Sequence, residues 1–264
     1  MTDPPAKNID LLAAGPFDRV NIHWTAAPAV LDRAVQSYID ARWENYQQQA
    51  TAAGQMLFDG PVAQLTDFQT RGSQLDLFLQ LSDYKRFVVT ALRDHAWFAA
   101  NAPRAVVGAL GVSALLWHGD RCLLGVRSHK VSAYPGMAHI FGGVLEELAV
   151  PDRPANADGL LAHLRQELAE ELGLGPADLL GLPQVMMLAH DHILHQPELV
   201  WQWQLALPIE AVLDRLNPDE HSAHLIVDRH TPLDSIHPAL TPSTKLALAL
   251  WRDPQAFKTA QTPQ

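Results

Sequence analysis

The stretch Arg165-Gln-Glu-Leu-Ala-Glu-Glu-Leu-Gly-Leu174, preceded by Phe141-Gly142-Gly143-Val-Leu-Glu146, constrains this chain more than any other segment. At about 100° per residue, Leu160, Leu161, Leu164, Leu168 and Leu172 line one apolar stripe, so the segment predicts a helix lying on a core. Glu167, Glu170 and Glu171 fall at i, i+3 and i+4 and are expected to share a face. Glu171 falls roughly 40° from the stripe's centre and Glu167 about 80° on the same side, so the acids are expected to look partly inward. Crowded, half-desolvated carboxylates repel one another, which raises their pKa values unless a cation neutralises them. The pattern therefore predicts a site for Mg²⁺ or Mn²⁺, with Glu167, Glu170 and Glu171 as ligands and a backbone carbonyl of the Gly142-Gly143 bend completing the sphere.

Length and composition bound the rest. The 264 residues, 48% of them hydrophobic, suffice for one large or two small domains with a proper core. A net charge of -10 with no basic run argues against a nucleic-acid partner and for a small-molecule substrate. Cys122 is the single cysteine, which excludes a disulfide framework and a thiolate zinc cluster and fits a reducing, cytoplasmic setting. No apolar run approaches the ~20 residues that cross a bilayer, and Met1 to Asn8 is too polar and proline-rich for a signal sequence, so no membrane partner is expected.

Along the chain, Thr25 to Ala53 reads as one long helix opened by Pro28 and closed by Gly54. Val62 to Phe68 and Leu75 to Leu81 alternate as strands around Arg71-Gly72-Ser73, and Ser82 to His95 reads as a helix capped by Ser82. A boundary near Asn101-Ala-Pro103 divides the chain into residues 1–102, an α/β amino-terminal domain, and residues 103–264. In the second part, Val106 to Trp117 and Cys122 to Arg127 form a hairpin about His118-Gly119-Asp120. Val131 to Phe141 is a loop running into a short strand, and Asp158 is expected to cap the acidic helix, which Gly173 ends. Leu182 to His190, Leu199 to Leu207 and His221 to Asp228 read as strands, Ile209 to Leu216 as a short helix, and Pro242-Ser243 opens a closing helix to about Trp251. His190-Asp191-His192 and His195 read as a polar loop between strands.

The glycine bend and acidic helix together resemble the Nudix box, G-x5-E-x7-R-E-U-x-E-E-x-G-U with U aliphatic. Glu167, Glu170, Glu171, Gly173 and Leu174 fall on motif positions. Gln166 replaces the motif arginine, with Arg165 one place early. The loop between Gly143 and Glu167 is lengthened, and Ala149 stands where the motif has its first glutamate. That long loop resembles the Nudix branch acting on UDP-glucose and UDP-galactose. Further strings match the branch in order over about residues 40 to 252. They are Trp43, Leu57-Phe58-Asp59-Gly60-Pro61, Leu81-Ser-Asp-Tyr84-Lys-Arg-Phe87, Leu110-Gly-Val112, Pro135-Gly136, Gly142-Gly143-x-x-Glu146 and Pro242-Ser-x-Lys245.

The resemblance implies an α/β/α sandwich with a mixed sheet, preceded by a smaller α/β domain, and Mg²⁺-dependent cleavage of a UDP-sugar to UMP and sugar 1-phosphate. By position it makes Glu167 and Glu171 metal ligands, with Glu170 completing or replacing one of them. It places Phe58 and Tyr84 in a uridine pocket, Arg127 on a phosphate, and Ser132, His139 and Glu146 among loop contacts. His139 stands where the branch commonly has aspartate, and Val88-Val-Thr-Ala91 replaces its Gly-Thr-Asn segment. A carboxylate left free of metal would take the proton from the attacking water, and Glu170, Glu146 and Glu220 are the candidates. Two other readings remain open at this point: a Nudix hydrolase of ADP-ribose or coenzyme A, and a non-catalytic Nudix-fold nucleotide-binding module. The chain is compatible with a homodimer.

Overall fold

The computed structural model describes residues 8–25, 30–129, 131, 133–146, 157–215 and 221–254. In chain order the amino-terminal elements are β1 (Ile9–Phe17), β2 (Arg19–Trp24), α1 (Arg33–Ala52), β3 (Pro61–Arg71), β4 (Gln74–Asp83), α2 (Tyr84–Phe87), a π-helical turn Val88–Arg93 and α3 (His95–Asn101). There follow β5 (Gly111–His118), β6 (Arg121–Arg127), β7 (Ala138–His139), β8 (Phe141–Val144), α4 (Ala157–Leu172), β9 (Leu179–Asp191) and β10 (Gln196–Leu205). The described chain closes with α5 (Glu210–Leu213), β11 (His221–Asp228) and α6 (Pro242–Arg252).

The large sheet runs β1-β9-β10-β5-β6-β11, with β7 paired to β6 and β8 to β5. It is mixed, because β10 lies parallel to β5 while the other pairs are antiparallel. One edge of β5 serves two partners: Gly111–Ala114 pair with β8, and Leu116–His118 pair with β6. The sheet therefore opens between β6 and β8, and the double glycine sits at that opening.

Alternation along the strands sends two apolar sets to opposite faces. Val112, Ala114 and Leu116 share a core with Leu160, Leu164, Leu168 and Leu172 of α4, whereas Leu115, Cys122 and Leu124 pack with Leu246, Leu250 and Trp251 of α6. Helices thus cover both faces. A smaller sheet, β2-β4-β3, adds Val20, Ile22, Leu75, Leu77 and Leu79 to the α4 core. The acidic helix is consequently held between two sheets, and each fully buried leucine on it contributes about 1.5–3 kcal/mol as an upper figure.

Several local expectations are corrected. The first helix begins at Arg33, because the side chain of Asp32 accepts from the Ala34 amide at 2.8 Å and fixes the start. Pro28 lies outside the described residues. Asp83, not Ser82, caps α2 by accepting from the Arg86 amide. Asp158 sits inside the first turn of α4 and not ahead of it, where its charge favours the helix dipole. Strands β1 and β2 had no counterpart in the sequence reading. β1 pairs along β9, so residues ahead of position 20 form an edge of the large sheet.

Candidate active site

The acidic helix distributes its carboxylates by rotation alone. Glu171, nearest the leucine stripe, is 4% exposed. Glu167, one turn earlier, is half-buried. Glu170 is exposed, correcting the expectation of a shared inward face: it lies 100° away from Glu171 on the far side from the stripe. There it accepts from Gln166 Nε2 at 2.9 Å, so Gln166 tethers an outward acid.

The two inward acids have defined neighbours. His221, at the start of β11, is 7% exposed and places Nε2 3.2 Å from Glu171 Oε2. Its ring meets Phe141 edge-on, with centroids 5.3 Å apart. Among the described residues its buried Nδ1 has no hydrogen-bond partner. Glu167 lies 3.5 Å from His163 Nε2 and rests against Gly143, where an added Cβ would stand 2.8 Å from Oε2. Gly142 holds a φ of +142°, and a Cβ there would collide with the Val112 carbonyl. The bend has no room for side chains, and that lets the helix acid reach the backbone.

Gly142 and Gly143 also line a cleft of about 180 Å³, together with Tyr84, Arg127, His139 and Tyr134. Four residues expected from the sequence, Tyr84, Arg127, His139 and Gly142, therefore meet in one place. Arg127 donates from Nε to the Ala133 carbonyl at 2.7 Å, which fixes the guanidinium at the cleft wall. His139 sets Nδ1 3.0 Å from Thr241 Oγ1. Burial, assisted by Arg127 and His221, holds its pKa well below the ordinary imidazole value, so it is neutral. Burial raises the Tyr84 phenol, and the charge of Glu146 adds to this. Glu146 is exposed and bridges to Val62 of β3. Phe58 is 70% exposed and is not one of the cleft's lining residues. Ser132 and Glu220 lie outside the described residues.

The cleft contains polar groups that sequence reasoning missed. Glu198 of β10 accepts from Ser113 Oγ at 2.5 Å and from the Ser243 hydroxyl, and burial nevertheless raises its pKa. Asp191 accepts from Tyr134 Oη at 2.6 Å and from the amides of Ile193 and Leu194, closing the β9–β10 hairpin. Burial and the Asp191 charge raise the Tyr134 phenol. A signal was present for one of them: Ser113 interrupts the apolar run of β5 at a buried position, and a polar residue there calls for a partner.

Among the described residues, no three His, Cys, Asp or Glu side chains gather as a ready-made metal cage. The donors do fit a magnesium-type ion, which takes one or two carboxylates and completes its sphere with water and substrate phosphate. Glu167 and Glu171 stand one turn apart on α4, and the absence of a Cβ at Gly143 is what seats the Glu167 carboxylate against the backbone of the bend.

No protein-family model matches the chain, and no curated protein sequence matches it. Among solved structures it is similar to a MutT NUDIX hydrolase from Burkholderia pseudomallei, with 23% identity over 54% of this chain and 96% of that one, at a TM-score of 0.35. It is similar to a MutT protein from Methanosarcina mazei Go1, with 18% identity over 55% and 95% of the two chains and a TM-score of 0.37. A third is a bifunctional NMN adenylyltransferase/ADP ribose pyrophosphatase from Francisella tularensis complexed with AMP and a Mn ion. There the identity is 16% over 60% of this chain and 44% of that one, with a TM-score of 0.40. No described helix is long and apolar enough to cross a membrane.

Proposed function

We propose that the protein is a Nudix-type pyrophosphohydrolase that, with Mg²⁺ or Mn²⁺, cleaves a UDP-sugar to UMP and sugar 1-phosphate. The observation that carries this reading is the seat of Glu167 against Gly143, which joins the acidic helix to the wall of a cleft containing Arg127. The sequence resemblance supplies the UDP-sugar class, through the amino-terminal strings that include Tyr84.

The barrier to diphosphate hydrolysis is dominated by the negative oxygens around phosphorus. A divalent ion, when bound by Glu167 and Glu171, neutralises part of that charge and acidifies a bound water. Arg127, anchored through Nε at the cleft wall, brings the planar cation that pairs with a phosphate. His221 orients the Glu171 carboxylate from behind. His139, kept neutral, adds no charge to the cleft and holds its ring by Thr241. With Glu170 turned outward and held by Gln166, Glu146 is the described candidate for accepting the water's proton.

One observation favours a second reading, a non-catalytic nucleotide-binding module: Glu170 turns outward and is engaged by Gln166, so the three acids do not converge. Incubating purified protein with UDP-glucose and Mg²⁺, and resolving UMP by chromatography, separates the two. Release of UMP that stops on chelation is expected; tight binding without turnover would overturn the hydrolase reading.

A further inference from the structure

The cleft holds two carboxylates that the proposed chemistry does not use: Asp191, taken up by Tyr134 and the amides of its own hairpin, and Glu198. Glu198 sits at the head of β10, opposite Gly111 of β5 in the parallel register, and Gly111 puts no side chain into the space above it. A Cβ at Gly111 would stand 3.2 Å from Gln196 Nε2 and 3.3 Å from Glu198 Cγ, so the glycine leaves the two polar side chains room to face the cleft. Ser113 from β5 and Ser243 from the first turn of α6 donate to the Glu198 carboxylate. Both partners come from elements far away in sequence, and all five residues line the cleft with Arg127 and the glycine bend.

We infer that Glu198, held by Ser113 and Ser243, is the specificity residue that accepts hydrogen bonds from the hydroxyls of the substrate's sugar. A carboxylate offers about four acceptor positions, and two hydroxyl donors leave capacity for a diol. An acceptor of this kind repels phosphate, so the phosphates belong beside Arg127 and the Gly142-Gly143 backbone. The nearby Gln196 amide and serine hydroxyls suit a ligand that is rich in hydroxyls on every side. A flat base would need a stacking face in place of these groups. A charged acceptor half-buried in a cleft rewards a matching hydroxyl and penalises its absence, because the group has given up part of its water and is left with an unpaired lone pair.

This inference rests on the sugar-nucleotide reading of the site, so its test uses ligands that a pyrophosphohydrolase does not cleave. Calorimetric titrations of glucose 1-phosphate, inorganic phosphate and AMP, with Mg²⁺ present, are compared between the natural chain and Glu198→Gln. The natural chain is expected to bind glucose 1-phosphate about tenfold or more tighter than phosphate. Glu198→Gln is expected to erase most of that preference and leave phosphate binding unchanged. Because Glu198 also ties two strands to α6, Ser113→Ala serves as a second variant, expected to weaken glucose 1-phosphate alone and by less. Equal affinity of the natural chain for glucose 1-phosphate and phosphate would overturn the inference, as would a Glu198→Gln effect confined to AMP. If the sugar preference follows Glu198 but UDP-glucose is never cleaved, the hydrolase reading fails and this one stands. If UDP-glucose is cleaved and Glu198→Gln keeps the preference, only this one fails.

Discussion

His221 Nε2 lies 3.2 Å from Glu171 Oε2, with both side chains sealed from solvent, and so ties the last turn of the acidic helix to the first residue of β11. With its proton on Nε2 the imidazole donates to the carboxylate, which fixes the direction in which the other oxygen points. Partners of this kind commonly change metal affinity or activity by about 10–100-fold when removed. His221→Asn is therefore expected to raise the Mg²⁺ concentration needed for half-maximal activity by about tenfold or more. A magnesium titration of UMP release checks this; an unchanged midpoint would detach His221 from the site.

Glu171→Gln keeps the shape of the buried side chain and removes its charge. It is expected to lose UDP-glucose hydrolysis by about 100-fold or more, the scale of one preorganised electrostatic group, while circular dichroism remains that of the folded chain. Full activity would exclude Glu171 from the mechanism.

The two glycines of the bend predict different failures. Gly142→Ala forces a side chain onto the Val112 carbonyl at a φ of +142°, a cost on the order of 3 kcal/mol, so its melting temperature falls by roughly 6–12 °C. Gly143→Ala meets only the far end of Glu167. That carboxylate swings aside, the fold survives, and kcat/KM drops by about 100-fold, as displacements near 1 Å can produce. Paired melting curves and kinetics distinguish the two.

Arg127→Lys retains the charge but loses the planar fork and the Nε bond to Ala133. An increase of about tenfold in KM with a smaller change in kcat is expected, read from initial rates.

His139 predicts a pH dependence of stability. Its folded pKa is depressed by burial, so the unfolded chain takes up the proton more readily. The stability it contributes is fully present above the unfolded value of about 6.5 and is lost as pH falls from there toward the folded value. Between pH 7.5 and pH 5.5 the natural chain is expected to lose more melting temperature than His139→Asn. Equal losses would show that this imidazole does not carry the effect.

The acidic helix was legible because one short segment carried both its leucine stripe and its acids, so periodicity alone placed Glu171 inward. Rotation also determines that Glu170 faces out, and grouping three acids by spacing overlooked the 100° between neighbours. The cleft was half legible. Tyr84 and Gly142 stand in motif strings and Arg127 and His139 were carried over by position, but Ser113 and Glu198 meet only because β5 and β10 pair in parallel across 85 positions. No local pattern encodes that register. β1 was hidden by Leu-Leu-Ala-Ala, which reads as helix, and by Pro16, which a sheet's edge strand tolerates. β2 does alternate, with Val20 and Ile22 inward, but six residues give little periodicity to read.

The place of Ile9–Phe17 has a practical meaning for anyone shortening this chain. It is the selvedge of the eight-stranded sheet, covering the outer amides and carbonyls of β9 from Val185 to Asp191. A recombinant fragment starting near residue 103 would bare that row and offer it to a neighbouring copy. Turbidity on concentration, rather than a clean catalytic core, is what such trimming should yield.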